Sequence, residues 1–271
     1  MKYEIRELGV SAILDQSFKL IQENFKLLAG ITLPIVIPFA LIQGFAQLAM
    51  MPAMPQNPNN PAAMKAFMQA LLPMMFVLVP LFLIFMYVVI PITNAAMVYA
   101  ISRSYLGLPT SVGDSFKFAV PRVLPLLWTW ILLFLVILGG YLLCIVPGII
   151  FSFWYALVTQ IVVLEGPYGW EAMKRSKALM KGNMGNLFLL GLIVFLINFT
   201  AGGIAGLVWQ PHLKAVLTAI IQGLGTMLGT ASGVVFYFST RCQHENFDLV
   251  LLAEAVAASD APPPEAEPEA L

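Results

Sequence analysis

The chain has 271 residues, of which 60% are hydrophobic and 10% charged, with a mean hydropathy of +0.87 and a formal net charge of zero. A soluble domain carries about 25% charged residues, so a water-filled environment for most of this surface is excluded. A balanced charge also excludes a general attraction to nucleic acid.

The first 26 residues mix Lys2, Arg6, Lys19 and Lys26 with Glu4, Glu7, Asp15 and Glu23. No small-residue cleavage site follows the first apolar stretch, so the segment does not read as a removable signal peptide. Within it Leu14, Phe18, Ile21 and Phe25 fall at i, i+4, i+7 and i+11, while Asp15, Lys19 and Glu23 line another face. This is the pattern of an amphipathic helix at an interface.

Six charge-free segments follow, at about 27–50, 68–101, 123–146, 148–164, 186–209 and 215–240. Each is long enough to cross a hydrocarbon layer roughly 30 Å thick. The second, about 51 Å if wholly helical, exceeds that thickness, and Pro73, Pro80 and Pro91 offer places to bend it or begin it late. The third and fourth form one apolar run whose break is best placed at Pro147-Gly148. The Pro- and Asn-rich stretch 51–65 reads as an irregular connector, and residues 251–271 as a largely disordered acidic tail.

Basic residues fix an orientation. Lys2, Arg6, Lys19, Lys26, Arg103, Lys117, Arg122, Lys174, Arg175, Lys177, Lys181 and Arg241 fall on one side of a six-span arrangement, and only Lys65 and Lys214 on the other. The positive-inside rule puts the former side, with both chain ends, in the cytoplasm. The expected fold is therefore all-α: a multi-pass protein of the cytoplasmic membrane with about six transmembrane helices.

Three segments, starting at Asp15, Gly113 and Trp170, each begin beside an acidic residue, continue as an amphipathic stretch and run into a span. They suggest three units of an interfacial helix plus two spans. In the third, Lys174, Lys177 and Lys181 form a basic stripe beside Trp170, suited to the headgroup layer and to contact with anionic lipid. Topological anchoring alone would use the same residues.

Inside the spans the polar groups are uncharged, with Gln43, Asn94, Gln160, Asn198 and Gln222 as the amides. Such groups usually bridge helices. Gly202 and Gly206 in the fifth span, and Gly225, Gly229 and Gly233 in the sixth, recur at four-residue spacing, which predicts close helix packing or a homo-oligomer seam.

No catalytic, cofactor or metal motif emerges. Cys144, Cys242, His212 and His244 share no ligand spacing. Glu165 lacks a partner base or metal, and Glu171, the nearest acid in sequence, is better explained as an ion-pairing neighbour of Lys174 and Arg175.

The block from Pro147-Gly148 through Glu165, Glu171-Ala172, Arg175-Ser176, Leu179 and Lys181-Gly182 resembles the bacterial glycerophosphoryl diester phosphodiesterase membrane-domain family. The ending with Tyr237, Arg241 and Phe247-Asp248-Leu249 resembles that family too. The resemblance implies a six-helix cytoplasmic-membrane domain. It carries over no catalytic residue, because the phosphodiesterase activity of fused relatives is implied to belong to a separate soluble barrel.

The leading expectation is a non-catalytic membrane module that organises membrane lipid or a protein partner. The competing one is a carrier for a lipid or small neutral solute. A cavity lined by Asn94, Gln160, Asn198 and Gln222 would favour the carrier, and a solid bundle the module.

Overall fold

The computed structural model describes residues 3–50, 57 and 59–260, and all the regular structure among these is helical. Long apolar segments favour helices because each backbone N–H and C=O is then satisfied inside the segment. Among the described residues, five stretches are long and apolar enough to cross a membrane: Pro61–Tyr105, Val112–Leu143, Ile145–Leu164, Met184–Gly206 and Val216–Glu245. A sixth is reached if the bent pair Val10–Glu23 and Phe25–Phe39 is counted.

The chain opens with α1 (Val10–Glu23) and turns 82° into α2 (Phe25–Met50). Asn24 makes the corner, its Nδ2 donating to the Leu20 carbonyl at 2.9 Å. The side chains of α1 that bury are Ile13, Ser17 and Leu20. The apolar stripe read from the sequence lies on the flank, with Phe18 and Phe25 exposed. Phe18 and its neighbours thus edge the helix rather than seat it.

Next come α3 (Pro61–Ile84), a π-helical turn (Phe85–Val89) and α4 (Ile90–Tyr105), continuous over 45 residues. That is about 68 Å of helix. The start lies earlier than expected, inside the stretch assigned to an irregular connector. Asn60 caps it by accepting from the Ala62 N–H at 3.0 Å, and Pro61 needs no donor at the first helical position. Pro73 and Pro80 sit within α3 without ending it, and the irregularity comes instead just before Pro91. There Thr93 Oγ1 donates to the Val89 carbonyl at 2.7 Å. No side chain of α3 is buried, whereas most of α4 is.

The second unit comprises α5 (Val112–Ala119), α6 (Val123–Leu143), α7 (Ile145–Trp154) and α8 (Val158–Leu164). Unlike α1, α5 does not turn sharply. It runs through a 3₁₀ turn at Val120–Arg122 into α6 as one 32-residue stretch. The break between the third and fourth apolar segments falls at Cys144, which is extended (φ −170°, ψ 154°), and not at Pro147-Gly148. Pro147 is absorbed in the first turn of α7, where its missing N–H costs nothing. Gly148 serves the packing of the hairpin, since a Cβ there would lie 2.5 Å from the Tyr141 ring. It lets α7 fold back against α6.

The third unit is α9 (Trp170–Leu179), α10 (Met184–Gly206) and α11 (Pro211–Glu245). The element order thus gives a short helix before a long pair three times over. After a left-handed cap at Asn246, α12 (Phe247–Asp260) continues. The stretch 251–260, read as disordered, is therefore helical, as its run of Ala, Leu and Glu allows. Residues 261–271 lie outside the described residues.

One end of the bundle is tightly closed. Tyr105 Oη donates to the Glu4 carbonyl at 2.8 Å, and the Leu8 N–H to Ser239 Oγ at 2.9 Å. Tyr3, Tyr105, Phe238 and Phe247 stack in succession with centroids 5.4–5.7 Å apart. The N-terminal segment and the end of α11 therefore meet on the same side.

Candidate functional site

The closed end is held by a charged network. Glu165, at the end of α8, accepts from Arg175 of α9 through both oxygens, at 2.8 and 3.2 Å, and from Tyr237 Oη of α11 at 2.7 Å. Arg175 also pairs with Glu245, which receives Arg241 Nε at 3.0 Å. Arg241 then closes the ring by donating to Tyr237 Oη at 3.4 Å. Two acids face two guanidiniums, so the network is neutral. The bonds to Glu245, and behind them those to Glu165, hold the Arg175 guanidinium above its ordinary value although burial opposes its charge.

Neighbouring hydrogen bonds fasten the same helices. Ser176 Oγ donates to the Trp154 carbonyl at 2.9 Å and accepts from the Leu157 N–H at 3.2 Å, bridging the interruption between α7 and α8. The Gly169 N–H donates to Thr129 Oγ1 at 2.7 Å, with Gly169 at φ 62°, where a side chain would be strained. Glu165, Arg175, Ser176, Tyr237 and Arg241 are thus explained as a latch. Glu245 was missed in the sequence, although its i, i+4 spacing from Arg241 was a usable signal.

Deeper in the bundle a different site opens. A cavity of about 470 Å³ lies between α2, α4, α10 and α11, lined by Thr93, Asn94, Asn198, Gln222 and Thr226 on its polar side. Val36, Phe85, Val89 and Ile90 complete it with apolar surface. Phe85 comes from the π turn and stacks on Phe39 at 3.7 Å between centroids. Gln222 and Thr226 are exposed through the mouth, while Thr93 is buried in the wall.

The hydroxyls of Thr93 and Thr226 are spent on carbonyls of their own helices. Asn198 donates to the Val194 carbonyl at 2.8 Å, leaving its Oδ1 against Gly225. The side-chain amides of Asn94 and Gln222 make no hydrogen bond among the described residues. These two amides and one carbonyl oxygen offer both donors and acceptors, with no charge beside them.

Gln160 is not part of this cavity. It lies nearer the latch, with Nε2 2.7 Å from where a Cβ of Gly233 would stand and Oε1 buried without a partner. The side chain of Gln43 lies outside the described residues.

Among the expected packing glycines, Gly225 and Gly233 make close approaches, each to an amide side chain. At Gly202, Gly206 and Gly229 a Cβ would meet nothing within 4 Å, so no close helix approach among the described residues uses those three. Gly223 was missed, and a Cβ there would lie 3.0 Å from Leu33 Cδ2.

On α9, Ala172, Met173, Ser176 and Leu179 bury, leaving Trp170, Lys174 and Lys177 exposed, as is Lys181 just past its end. The Lys177 ammonium lies 3.9 Å above the Trp154 ring. The basic stripe is therefore outward-facing, with one of its three members already engaged by an aromatic face.

A family model described as a domain of unknown function (DUF7847) matches residues 116–245, a little under half of the chain. The matched region contains the whole latch together with Asn198 and Gln222, but not Asn94. No curated protein and no solved structure matches the chain.

Proposed function

We propose that this chain is a non-catalytic integral protein of the cytoplasmic membrane that holds a lipid or small neutral solute in the amide-lined cavity. The observation that carries this reading is the convergence of Asn94, Asn198 and Gln222, from three helices, on one open cavity. Hydrogen-bonding groups without partners are costly in an apolar medium, and a ligand with hydroxyl or carbonyl groups would satisfy them. Uncharged amides suit an uncharged ligand, since an ion would need a counter-charge at that depth.

Orientation is part of the proposal. The latch, the lysines of α9 and the N-terminal segment share one end, which the positive-inside rule assigns to the cytoplasm together with both termini. The likeness to the glycerophosphoryl diester phosphodiesterase membrane-domain family includes the latch residues Glu165, Arg175, Ser176, Tyr237 and Arg241 and supports location and architecture only.

Native mass spectrometry of the purified protein tests the proposal. A neutral ligand should co-purify with the wild type and be lost from the double variant Asn94→Leu/Gln222→Leu. An identical ligand complement in both would sink the reading. A second reading, a module that organises lipid or a protein partner, is favoured by α3, none of whose side chains is buried. Crosslinking that captures a protein on Phe76 of α3 would support it.

A further inference from the structure

We infer that the ligand is a neutral amphiphile, with its hydroxyl or carbonyl end at the amides and its apolar chain in a second groove beneath α1. The inference rests on the proposed function and names the class of molecule the cavity takes. The groove, about 290 Å³, lies between Phe18 and Ile21 of α1, Ile197 and Ala201 of α10, and Leu224 and Leu228 of α11. It is apolar throughout except at one place. Asn198 and Gly225 line both the groove and the amide cavity.

The two spaces therefore share a wall, made by Asn198 of α10 and Gly225 of α11. Residue 225 contributes no Cβ to the partition, and any Cβ there would collide with Asn198 Oδ1. Asn198 is itself anchored through Nδ2 to the Val194 carbonyl, so its oxygen stands at the junction as an acceptor. Polar groups lie on one side and hydrocarbon on the other, with an acceptor at the boundary. That sequence of surfaces matches a molecule with a polar end and an alkyl or isoprenoid chain.

The remaining alternatives fit less well. A free polar solute would leave the groove unused. A free fatty acid or phospholipid would bring an anion, yet neither space is lined by a cation. Lys174 and Lys177 lie on the outward face of α9, and Lys19 of α1, although next to Phe18, is exposed and lines neither space. The groove extends about 10 Å along α11 from Ile221 to Leu228, room for an extended portion of a chain.

The test uses the full-length protein in nanodiscs with a monoacylglycerol carrying a photoreactive diazirine in mid-chain. Labelling is expected on peptides containing Phe18–Ile21, Ile197–Ala201 and Ile221–Leu228. Unlabelled monoacylglycerol should compete, whereas the matching fatty acid and glycerol should not. Ala201→Trp, which fills the groove but not the amide cavity, should weaken labelling about tenfold, equivalent to roughly 1.4 kcal/mol.

Labelling confined to α2 or α3 would overturn the groove assignment. Equal competition by the fatty acid would overturn neutrality. If a co-purifying ligand is lost on Asn94→Leu/Gln222→Leu yet is indifferent to Ala201→Trp, the amphiphile fails while the cavity reading stands. The labelling map is read on the wild type, so it does not depend on any variant folding.

Discussion

Removing the Glu165 carboxylate should loosen the closed end by an amount that the network geometry bounds. Glu165 serves Arg175 through two hydrogen bonds and Tyr237 through one, with side-chain exposures of 18% for Glu165 and 30% for Arg175. Fully exposed pairs contribute about 0–1 kcal/mol, and breaking a buried pair costs about 3–5 kcal/mol. This pair lies between those limits, so Glu165→Ala should cost about 2–3 kcal/mol, part of it from stranding Tyr237 Oη. Glu165→Gln keeps an acceptor for Tyr237 but leaves the two guanidiniums facing one acid, and should cost about 1–2 kcal/mol. Combining it with Arg175→Gln restores neutrality, so the double variant should lose less than the sum of the two singles. The assay is thermal or denaturant exposure of the buried Cys242 thiol to a fluorogenic maleimide, in a Cys144→Ser background that removes the exposed cysteine. If Glu165→Ala and Glu165→Gln both unfold within about 0.5 kcal/mol of the parent, the network is ornamental and the latch does not exist.

Other outcomes follow from the same geometry. Gly148→Ala places a Cβ against the Tyr141 ring and should cost about 1–3 kcal/mol in the same thiol assay. Gly202→Ala and Gly206→Ala meet open space and should be neutral or stabilising by up to about 1 kcal/mol; destabilisation there would mark them as packing residues. Replacing Lys174, Lys177 and Lys181 together by Gln should deplete anionic lipid retained by the purified protein. The Lys177 share should be smallest, because its ammonium is engaged by Trp154. Reporter fusions at the two chain ends should both give cytoplasmic signals, and opposite signals would reject the six-span topology.

The long elements were legible because they rest on one-dimensional properties. Freedom from charge over about twenty residues fixes a long apolar helix whatever packs against it. What could not be read was facing. Pro147-Gly148 has the chemistry of a break, yet the chain breaks three residues earlier because Gly148 is needed for the approach of Tyr141. Likewise four-residue spacing puts Gly225, Gly229 and Gly233 on one side of α11, but spacing does not say which of them another helix visits. Of the four amides grouped from the sequence, Asn94, Asn198 and Gln222 line one cavity, whereas Gln160 meets Gly233 instead, a difference of facing that spacing does not carry.

The two halves of the bundle therefore differ in how polar groups are satisfied. At the closed end, Arg175 answers Glu165 at 2.8 and 3.2 Å, the Tyr237 hydroxyl joins both Glu165 and Arg241, and aromatic rings fill the gaps between helices. In the other half, α3 buries no side chain and the amides of Asn94 and Gln222 have no partner among the described residues. Hydrogen bonds and ion pairs resist opening in proportion to their number, so motion is expected to concentrate where they are missing. A rigid end and a loose end suit a protein that admits a ligand sideways between helices. On that argument hydrogen exchange should be slowest in Val234–Phe238 and fastest around the π turn at Phe85–Val89, and the reverse order would place the entrance at the latch instead.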